Sequence, residues 1–310
     1  MKISVIINNY NYERFLPDTI DSVLNQSLVP DEIILVDDAS TDSSLAVVEE
    51  RFSHIANLKL VPKEKNEGQL DSFNQGYLAS TGDLIFFLDS DDLYHEQYIE
   101  EAVCFYETHE QCDFLFCAYE HIGDGIGGAP EVVPPYEGER NLGYSVALTF
   151  ATKSWLGSPT STLSMRRDVL DKILPIPFLE DWQIRADDCL VWGASLAGAR
   201  KYFMPKALVQ YRIHDSNRFY TSGKKGAFDI TDVYKRGLYI ERLFSFLRQR
   251  LGYGSDLQDL AHIEFQTIPS PTWKEFTAYT KVLMLSDVPL LKRVKRFGTI
   301  FRYYKAHRRG

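Results

Sequence analysis

Cysteines and long hydrophobic runs are both scarce in this chain of 310 residues. The four cysteines form neither a CxxC pair nor a cluster with histidine, which argues against a zinc site or a disulfide scaffold. They are Cys104, Cys112, Cys117 and Cys189. No apolar run approaches the roughly 18 residues that a membrane-spanning helix needs. The N-terminus lacks the pattern of a signal peptide, because the short apolar run after Lys2 ends at Asn8. We therefore expect reduced thiols in a cytoplasmic protein.

Basic residues are also in the minority. The chain has 34 lysines and arginines against 43 acids, which gives a net charge of −9. An acidic protein is not suited to non-specific binding of nucleic acid, so we expect no nucleic-acid partner. Residues 281–310 are the exception, with nine basic residues and a single acid, Asp287. This basic tail needs its own explanation.

The first 120 residues alternate short apolar segments with segments whose apolar residues recur every three or four positions. The predicted strands are Ile3–Ile7, Glu32–Val36, Leu58–Val61, Leu84–Leu88 and Phe114–Tyr119. The predicted helices begin near Pro17, Asp42, Gln69 and Glu96. Strands that alternate with helices of this length predict an α/β fold, with a mostly parallel sheet covered on both faces.

Polar residues follow each of the first four predicted strands. They are Asn8-Asn9-Tyr10-Asn11, Asp37-Asp38, Asn66 and Asp89-Ser90-Asp91-Asp92. Ligands of open parallel sheets bind outside the carboxyl ends of the strands, so these residues are expected to converge on one site.

Three carboxylates, those of Asp89, Asp91 and Asp92, directly follow a strand of apolar residues. Carboxylates this close repel one another and are costly to desolvate unless a cation lies among them. Mg²⁺ or Mn²⁺, completed by water and phosphate oxygens, is the usual occupant. The alternative is that Asp91 or Asp92 only caps the helix that begins near Glu96. That alternative explains one acid but not three.

The middle of the chain has a mixed pattern. Residues 121–145 are rich in glycine and proline and predict an ordered loop or lid. The GxGxxG spacing at 123–128 is not followed by a helix, so a dinucleotide site is not expected. Leu163–Met165 and Ala207–Ile213 predict strands, and Asp187-Asp188 begins a helix that extends to about Ala197.

After a polar loop over 215–226, the pattern is helical. One long helix is predicted, and the apolar residues Leu238, Ile240, Leu243 and Leu247 lie along it. The last helix begins near Pro289 and is both basic and amphipathic. Residues 288–308 are therefore expected either to lie on an anionic membrane surface or to pack an apolar stripe on the rest of the protein.

Together these segments resemble the family 2 glycosyltransferases of the GT-A fold, in which a Rossmann-like, mostly parallel sheet carries helices on both faces. The matching segments cover about residues 1–215 in the expected order. They are Ser4–Asn11, Ile34–Asp42, Asn66–Gln69, Thr81–Asp92, Asp187-Asp188 with Trp192 and Leu196–Gly198, and Pro205 with Tyr211–His214.

The resemblance implies a division of the chain and a reaction. A catalytic domain over 1–220 would comprise a nucleotide-sugar-binding half (1–120) and an acceptor and base half (121–220), followed by a helical region over 221–310. The reaction would be inverting, metal-assisted transfer from a nucleoside-diphosphate sugar, with a UDP-sugar favoured. The acceptor would be a glycan or a lipid-linked molecule in the synthesis of bacterial surface polysaccharide.

The resemblance also implies roles for single residues. Asp38 would accept a hydrogen bond from the nucleotide base, and the residues Asn8, Asn9, Tyr10 and Asn66 would line the nucleoside pocket. Asp89 would face the ribose or a metal-bound water, and Asp91 would hold Mg²⁺ or Mn²⁺. His214 follows a strand at the same edge and is a further candidate ligand of the metal.

Asp188 is the candidate general base, which would take a proton from the acceptor hydroxyl during a single displacement. The alternatives are that Asp187 or Asp188 only caps its helix, and that Glu180-Asp181 is the functional acidic pair. The chain departs from the family at Phe73, where many members have an arginine before the asparagine that matches Asn74. Two other functions remain open, a sugar-1-phosphate nucleotidyltransferase and a non-catalytic nucleotide-sugar or lipid-binding protein of the same fold.

Overall fold

The computed structural model describes residues 1–123, 132–215, 230–254 and 256–308. In this part of the chain, ten strands form one sheet. The strands are β1 Ile3–Asn9, β2 Glu32–Asp37, β3 Leu58–Pro62, β4 Leu84–Asp89, β5 Leu93–Tyr94, β6 Phe114–Gly123, β7 Val132–Val133, β8 Arg140–Gly143, β9 Leu163–Arg166 and β10 Lys201–Ile213.

Helices connect the strands and continue beyond them. They are α1 Leu16–Leu24, α2 Ser44–Phe52, α3 Gln69–Ala79, α4 Tyr98–Thr108, α5 Val146–Thr152, α6 Arg167–Ile173, α7 Asp187–Leu196, α8 Ile230–Arg250, α9 Ala261–Glu264, α10 Trp273–Leu285 and α11 Leu290–His307. Local sequence explains several of their starts. Pro17 lies in the first turn of α1, where its missing N–H costs nothing. A capping box between Thr272 and Glu275 begins α10.

The sheet has the order β3-β2-β1-β4-β9-β6-β10-β5. β3, β2, β1 and β4 are mutually parallel, as predicted. β9 then pairs antiparallel with both β4 and β6, and β10 runs parallel to β6. The mostly parallel α/β fold is confirmed, with one antiparallel strand inserted at its centre. The local apolar pattern of β9 predicts a strand, but it contains no information about the strands with which β9 pairs.

The core lies on both faces of the parallel half. Ile6, Ile34 and Phe87 face the side that α3 and α7 cover, whereas Val5 and Phe86 face the side that α1 and α4 cover. All five are fully buried. Burial on both faces is why these strands read as continuous apolar runs, and it fixes the register that brings their polar ends to one edge.

The prediction of a loop over 121–145 is wrong for the described residues that form strands. β6 extends to Gly123, and β7 and β8 add short antiparallel pairs to β6 and β10. Residues 124–131, which include most of the GxGxxG spacing, lie outside the described residues. The polar loop predicted over 215–226 also lies outside them from residue 216 onward.

The C-terminal region is helical, as predicted, and it is firmly attached to the sheet domain. Arg140 of β8 makes a bidentate ion pair with Glu275 of α10, at 2.7 and 2.9 Å. Glu264 accepts backbone hydrogen bonds from Ala147 and Leu148 in α5. The predicted long helix is α8, along which Leu243 and Leu247 are buried and Leu238 is exposed. No helix within the described ranges is long and apolar enough to cross a membrane.

Candidate active site

Asp89 ends β4 at the carboxyl edge of the parallel strands and lies among polar groups. Its Oδ1 accepts a hydrogen bond from Nε2 of Gln69 at 3.0 Å, and its backbone N–H donates to Oγ of Ser161 at 3.1 Å. Burial and the nearby charge of Asp91 raise the pKa of Asp89 to about 7. The carboxylates after β4 are therefore crowded, as the sequence predicts.

Asp91 and His214 are brought together from positions 123 residues apart in the chain. Nε2 of His214 lies 3.0 Å from Oδ2 of Asp91, and both side chains are buried. The imidazole also packs 4.7 Å from the ring of Phe15 and 5.6 Å from that of Tyr12. Two of the three predicted metal ligands, Asp91 and His214, are thus in direct contact.

The full trio of Asp89, Asp91 and His214 is not arranged as a metal site in the structure. No group of three or more histidine, cysteine or acidic residues is placed to hold a metal among the residues that can be described. Asp89 contacts Gln69, whereas Asp91 contacts His214. Metal binding by these three residues stays a prediction.

Asp92 has a structural role. Its Oδ2 accepts from Oγ of Ser161 at 2.6 Å and its Oδ1 from the backbone N–H of Arg212 at 2.8 Å. It therefore ties the β4 loop to β10. The alternative that Asp91 or Asp92 caps the next helix is wrong, since α4 begins at Tyr98 with Gln97 at its N-cap position.

The predicted nucleotide-binding residues lie at this edge but differ in their surroundings. Asn9 is buried and donates from Nδ2 to Oδ1 of Asp37 at 2.7 Å, so it supports the loop after β2. The Asn8 side chain is hydrogen-bonded to Asp89. Tyr10 is half-buried and Asn66 is exposed in the loop after β3. Their contact with a nucleotide stays a prediction.

Asp38 is buried and paired with a lysine that the sequence analysis does not single out. Its Oδ1 lies 2.5 Å from Nζ of Lys63, and Lys63 also lies 2.8 Å from Asp71. The backbone N–H groups of Glu67 and Gly68 donate to the two oxygens of Asp38. A carboxylate has about four acceptor positions, and three internal partners of Asp38 are seen. Its contact with a nucleotide base stays a prediction.

The loop that carries Gly68 also contacts the segment before α7. The N–H of Gln69 donates to the carbonyl of Gln183 at 3.0 Å. Gly68 has φ +89°, and a Cβ there would lie 2.4 Å from Cα of Gln183. Only glycine fits this approach without displacing the backbone.

Gln69 then joins the two acidic clusters directly. Its Nε2 donates to Asp89, and its Oε1 accepts from the N–H of Ala186 at 3.0 Å. Ala186 is the residue before the predicted acidic pair. One glutamine side chain thus connects the end of β4 to the start of α7.

Asp187 and Asp188 begin α7 beside this bridge. Burial, Asp188 and Asp89 raise the pKa of Asp187 to about 7. Burial also raises the pKa of Asp188, against the lowering effect of Arg185 and Arg236. The charges of Asp187 and Asp89 are close enough to affect each other, and the action of the two acidic clusters in one site stays a prediction.

The competing acidic pair lies elsewhere. Asp181 is in a 3₁₀ helix, Leu179–Trp182, and its carboxylate pairs with Arg242 of α8 at 2.8 Å. Phe73, where the family resemblance leads us to expect an arginine, is fully buried and packs edge-on against Phe87. No cation is supplied from that position.

A cavity of about 510 Å³ opens at the same edge. It is lined by residues of the loop after β1, by Thr41 and Asp42, and by His214 and Asp215. Arg14 and Arg212 lie over the ring of Phe15, at 5.1 and 4.9 Å. A cavity with an aromatic wall and adjacent cations can accommodate an anionic ligand that has a planar group.

Comparisons with known proteins bear on the family and the fold. The model described as Glycosyl transferase family 2 matches residues 4–174. An uncharacterized glycosyltransferase of Nostoc sp. is 30% identical over 279 residues, which cover 86% of this chain and 81% of the relative. The poly(ribitol-phosphate) beta-N-acetylglucosaminyltransferase TarS of Staphylococcus aureus is 32% identical over 112 residues, 35% of this chain and 19% of that protein.

A solved structure supports the fold. The crystal structure of S. aureus TarS 1–349 in complex with UDP-GlcNAc has a TM-score of 0.55 to this chain at 18% identity. The superposition covers 100% of this chain and 74% of that one. This likeness shows a shared fold.

Proposed function

Because the chain belongs to glycosyl transferase family 2, we propose that it transfers a sugar from a UDP-sugar to an acceptor hydroxyl with inversion at the anomeric carbon. The supporting observation is the Gln69 bridge, which connects Asp89 to the backbone of Ala186, directly before the acidic pair of α7. A leaving-group site and a proton acceptor are required together in a single displacement.

The donor side of the proposal lies at the end of β4. Asp89, Asp91 and His214, which are not gathered into one metal site among the described residues, would supply two carboxylates and an imidazole, and these ligand types suit Mg²⁺ or Mn²⁺. Burial, together with repulsion from Asp91, raises the pKa of Asp89 to about 7, and a bound cation would offset both effects. When bound, the metal would neutralise charge on the departing nucleoside diphosphate. Asp38 and Asn66, with Asn8 to Tyr10, would orient the nucleoside.

Asp188 takes the proton in this proposal. Its side chain is 2% exposed and contacts two guanidinium groups, so the carboxylate is fixed in position. In an inverting reaction this carboxylate and the leaving group lie on opposite sides of the anomeric carbon. Asp187 and Asp89 supply the neighbouring negative charge.

The UDP-sugar and surface-polymer assignments rest on the relatives. The TarS structure contains UDP-GlcNAc, and the name of TarS gives poly(ribitol-phosphate) as its acceptor. A Bacillus subtilis relative is named as a putative teichuronic acid biosynthesis glycosyltransferase. We propose a glycan or lipid-linked acceptor of this general kind in bacterial surface polysaccharide synthesis.

Slow hydrolysis of the donor tests both the donor and the stereochemistry without a known acceptor. The protein is incubated with Mn²⁺ and UDP-GlcNAc, UDP-glucose or UDP-galactose, and the released sugar is followed by proton NMR before its anomers equilibrate. The proposal predicts UDP release from at least one α-linked donor with the β anomer formed first. Formation of the α anomer first would contradict inversion. In a parallel measurement of thermal unfolding with added UDP, GDP or CDP, stabilisation by GDP or CDP rather than UDP would contradict the donor.

The last helix supports a further partner, an anionic membrane surface in contact with residues 288–308. One side of α11 packs on the protein, since Ile300 is buried and the hydroxyl of Tyr303 donates to the carbonyl of Ile268 at 3.0 Å. A second apolar stripe remains exposed and keeps helical spacing. Its members are Leu290, Val294, Phe297 and Phe301.

Basic residues flank the exposed stripe of α11. Lys295, Arg302 and Lys305 are exposed on the same helix, and the exposed Trp273 lies 5.9 Å from the ring of Tyr304. An apolar stripe bordered by lysine, arginine and tryptophan suits the interface of an anionic bilayer. This contact would place the enzyme beside a lipid-linked acceptor.

A further inference from the structure

Arg236 of α8 forms an ion pair with Asp188, from 48 residues further along the chain. The guanidinium contacts Oδ2 of the carboxylate. Arg185, three residues before Asp188, also has its closest contact with Oδ2, at 3.3 Å. Two cations therefore converge on the same oxygen of the proposed base.

The position of Arg236 is set by aromatic packing. Its guanidinium lies 4.5 Å from the ring centre of Trp182, a fully buried side chain. Trp182 packs edge-on against Trp192 of α7, and Trp192 packs against Phe244, two turns beyond Arg236 on α8. The two helices and the intervening tryptophans thus hold the cation over the carboxylate.

A carboxylate with only 2% of its side chain exposed is costly to keep charged unless cations compensate for lost water. The charged groups that face Asp188 are Arg185 and Asp187 from its own segment and Arg236 from α8. Asp187 is an acid, so the two arginines must offset both burial and this like charge. Arg236 is the partner from outside the segment.

We propose that Arg236 is a positioning residue for the general base, because it holds Oδ2 of Asp188 and so fixes the orientation of the carboxylate, to which the side chain of Trp155 also donates a hydrogen bond. This inference rests on the proposed function. It makes α8, which lies in the helical region beyond the sheet domain, a component of the active site. Arg236 acts through Asp188 and takes no part in bond making.

The test compares Arg236→Gln with Arg236→Lys and with a matched control, Arg242→Gln. Arg242 lies on the same helix and also pairs with an aspartate, Asp181, but is largely exposed. The measurement is the pH profile of UDP release from UDP-GlcNAc, or from whichever UDP-sugar the wild-type protein turns over fastest, with Mn²⁺ at saturation.

Removal of the Arg236 charge removes an interaction that lowers the pKa of Asp188, so more of the base is protonated at a given pH. We expect kcat to fall about tenfold or more for Arg236→Gln, with little change in the KM for the donor. The acid limb of the profile moves to higher pH by about one unit. Arg236→Lys should restore part of the kcat and reverse part of the shift in the acid limb. Arg242→Gln should have the kcat and the pH profile of the wild-type protein.

An unchanged kcat and pH profile in Arg236→Gln would overturn the inference. So would a gain in UDP release, because Arg236 would then cover the base rather than support it. An equal loss in Arg242→Gln would point to a general effect on α8 and would also overturn it.

A substrate-free measurement separates this inference from the proposed function. In a double-mutant cycle of thermal unfolding, Arg236→Gln should lower stability more in the wild-type protein than in the Asp188→Asn variant. In that variant the ion pair is already broken. Additive effects would overturn the ion pair itself. The third possible result is that the two substitutions are coupled but the protein releases no UDP from any donor. This result would contradict the proposed function. The ion pair would then be structural only, and the positioning role of Arg236 would be overturned.

Discussion

Gln69 donates a hydrogen bond to Asp89 over 3.0 Å and places its amide between the end of β4 and the start of α7. The other end of the amide accepts from Ala186. The chain reaches the start of α7 from β9 through α6 and the 3₁₀ helix Leu179–Trp182, so no strand end sets the position of Asp187 and Asp188 relative to Asp89. The side chain of one glutamine therefore contributes to the geometry that the reaction requires.

Gln69→Ala should lower kcat for UDP release by about tenfold through misplacement of the two clusters. It should also cost about 1 kcal/mol of stability for the lost hydrogen bonds. Steady-state kinetics and thermal unfolding measure these effects. Gln75→Ala on the same helix is the control, because Gln75 only reaches Asp71 at 3.4 Å. Equal activity of the two variants would remove the bridge from the mechanism.

The raised pKa values of Asp89 and Asp187 predict how stability depends on pH without metal. Both values are about 7, against 3.8 for an ordinary aspartate. Between these values the folded protein binds more protons than the unfolded chain, so stability falls as pH rises from about 4 to 7. Thermal unfolding in EDTA should show this fall, and Asp89→Asn should reduce it.

Mn²⁺ should reverse this dependence, because the ion binds the deprotonated carboxylates. We expect the melting temperature to rise more on addition of Mn²⁺ at pH 8 than at pH 5.5. Asp91→Asn should abolish most of the rise, whereas Asp21→Asn, a change in an exposed surface pair with Arg51, should leave it intact. A rise of the same size at both pH values would count against carboxylate ligands.

Lys63 should be far more important for stability than its neighbour Lys65. Lys63 is 8% exposed and neutralises Asp38 and Asp71, so Lys63→Gln leaves two buried acids without their cation. The expected cost is about 3 to 5 kcal/mol. Lys65 pairs with Glu67 at 2.8 Å on the surface, and Lys65→Gln should leave the free energy of unfolding nearly unchanged, because solvent screens this pair. Similar costs by urea unfolding would contradict this assignment.

The exposed stripe of α11 can be tested without removing the buried face of that helix. Leu290→Gln with Val294→Gln should weaken sedimentation with vesicles of equal phosphatidylcholine and phosphatidylglycerol by at least about tenfold. Leu238→Gln with Leu260→Gln, which changes exposed leucines elsewhere, is the control. If wild type binds equally well to vesicles of pure phosphatidylcholine, attraction between the basic residues and an anionic membrane is excluded. If the two double variants bind equally well, the exposed stripe of α11 is excluded as the membrane-binding surface.

The parts of the site that follow directly from strand ends were predictable. Asp89 and Asp91 lie at the carboxyl edge because apolar strands fix the parallel register. Lys63 was accessible to the same argument, since it directly follows β3. Its position at the edge does not, however, predict that the Lys63 ammonium group is buried against Asp38 and is not exposed to solvent.

Other features depend on tertiary contacts that local patterns do not encode. The Gln69 bridge and the Arg236 pair join segments that are distant in sequence, and no periodicity marks them. The two apolar sides of α11 are a different case. Three- and four-residue spacing shows that the helix is amphipathic, but packing decides that Ile300 is buried while Val294 is exposed.

Substitution of Asp188 by Asn tests the central claim most directly, because it removes the proton acceptor while nearly preserving its size. UDP release with Mn²⁺ is compared with thermal stabilisation by UDP, which reports an intact donor site. We predict that Asp188→Asn lowers UDP release by about 100-fold or more and keeps the UDP stabilisation, and that Asp181→Asn retains both. Undiminished UDP release by Asp188→Asn would contradict the account.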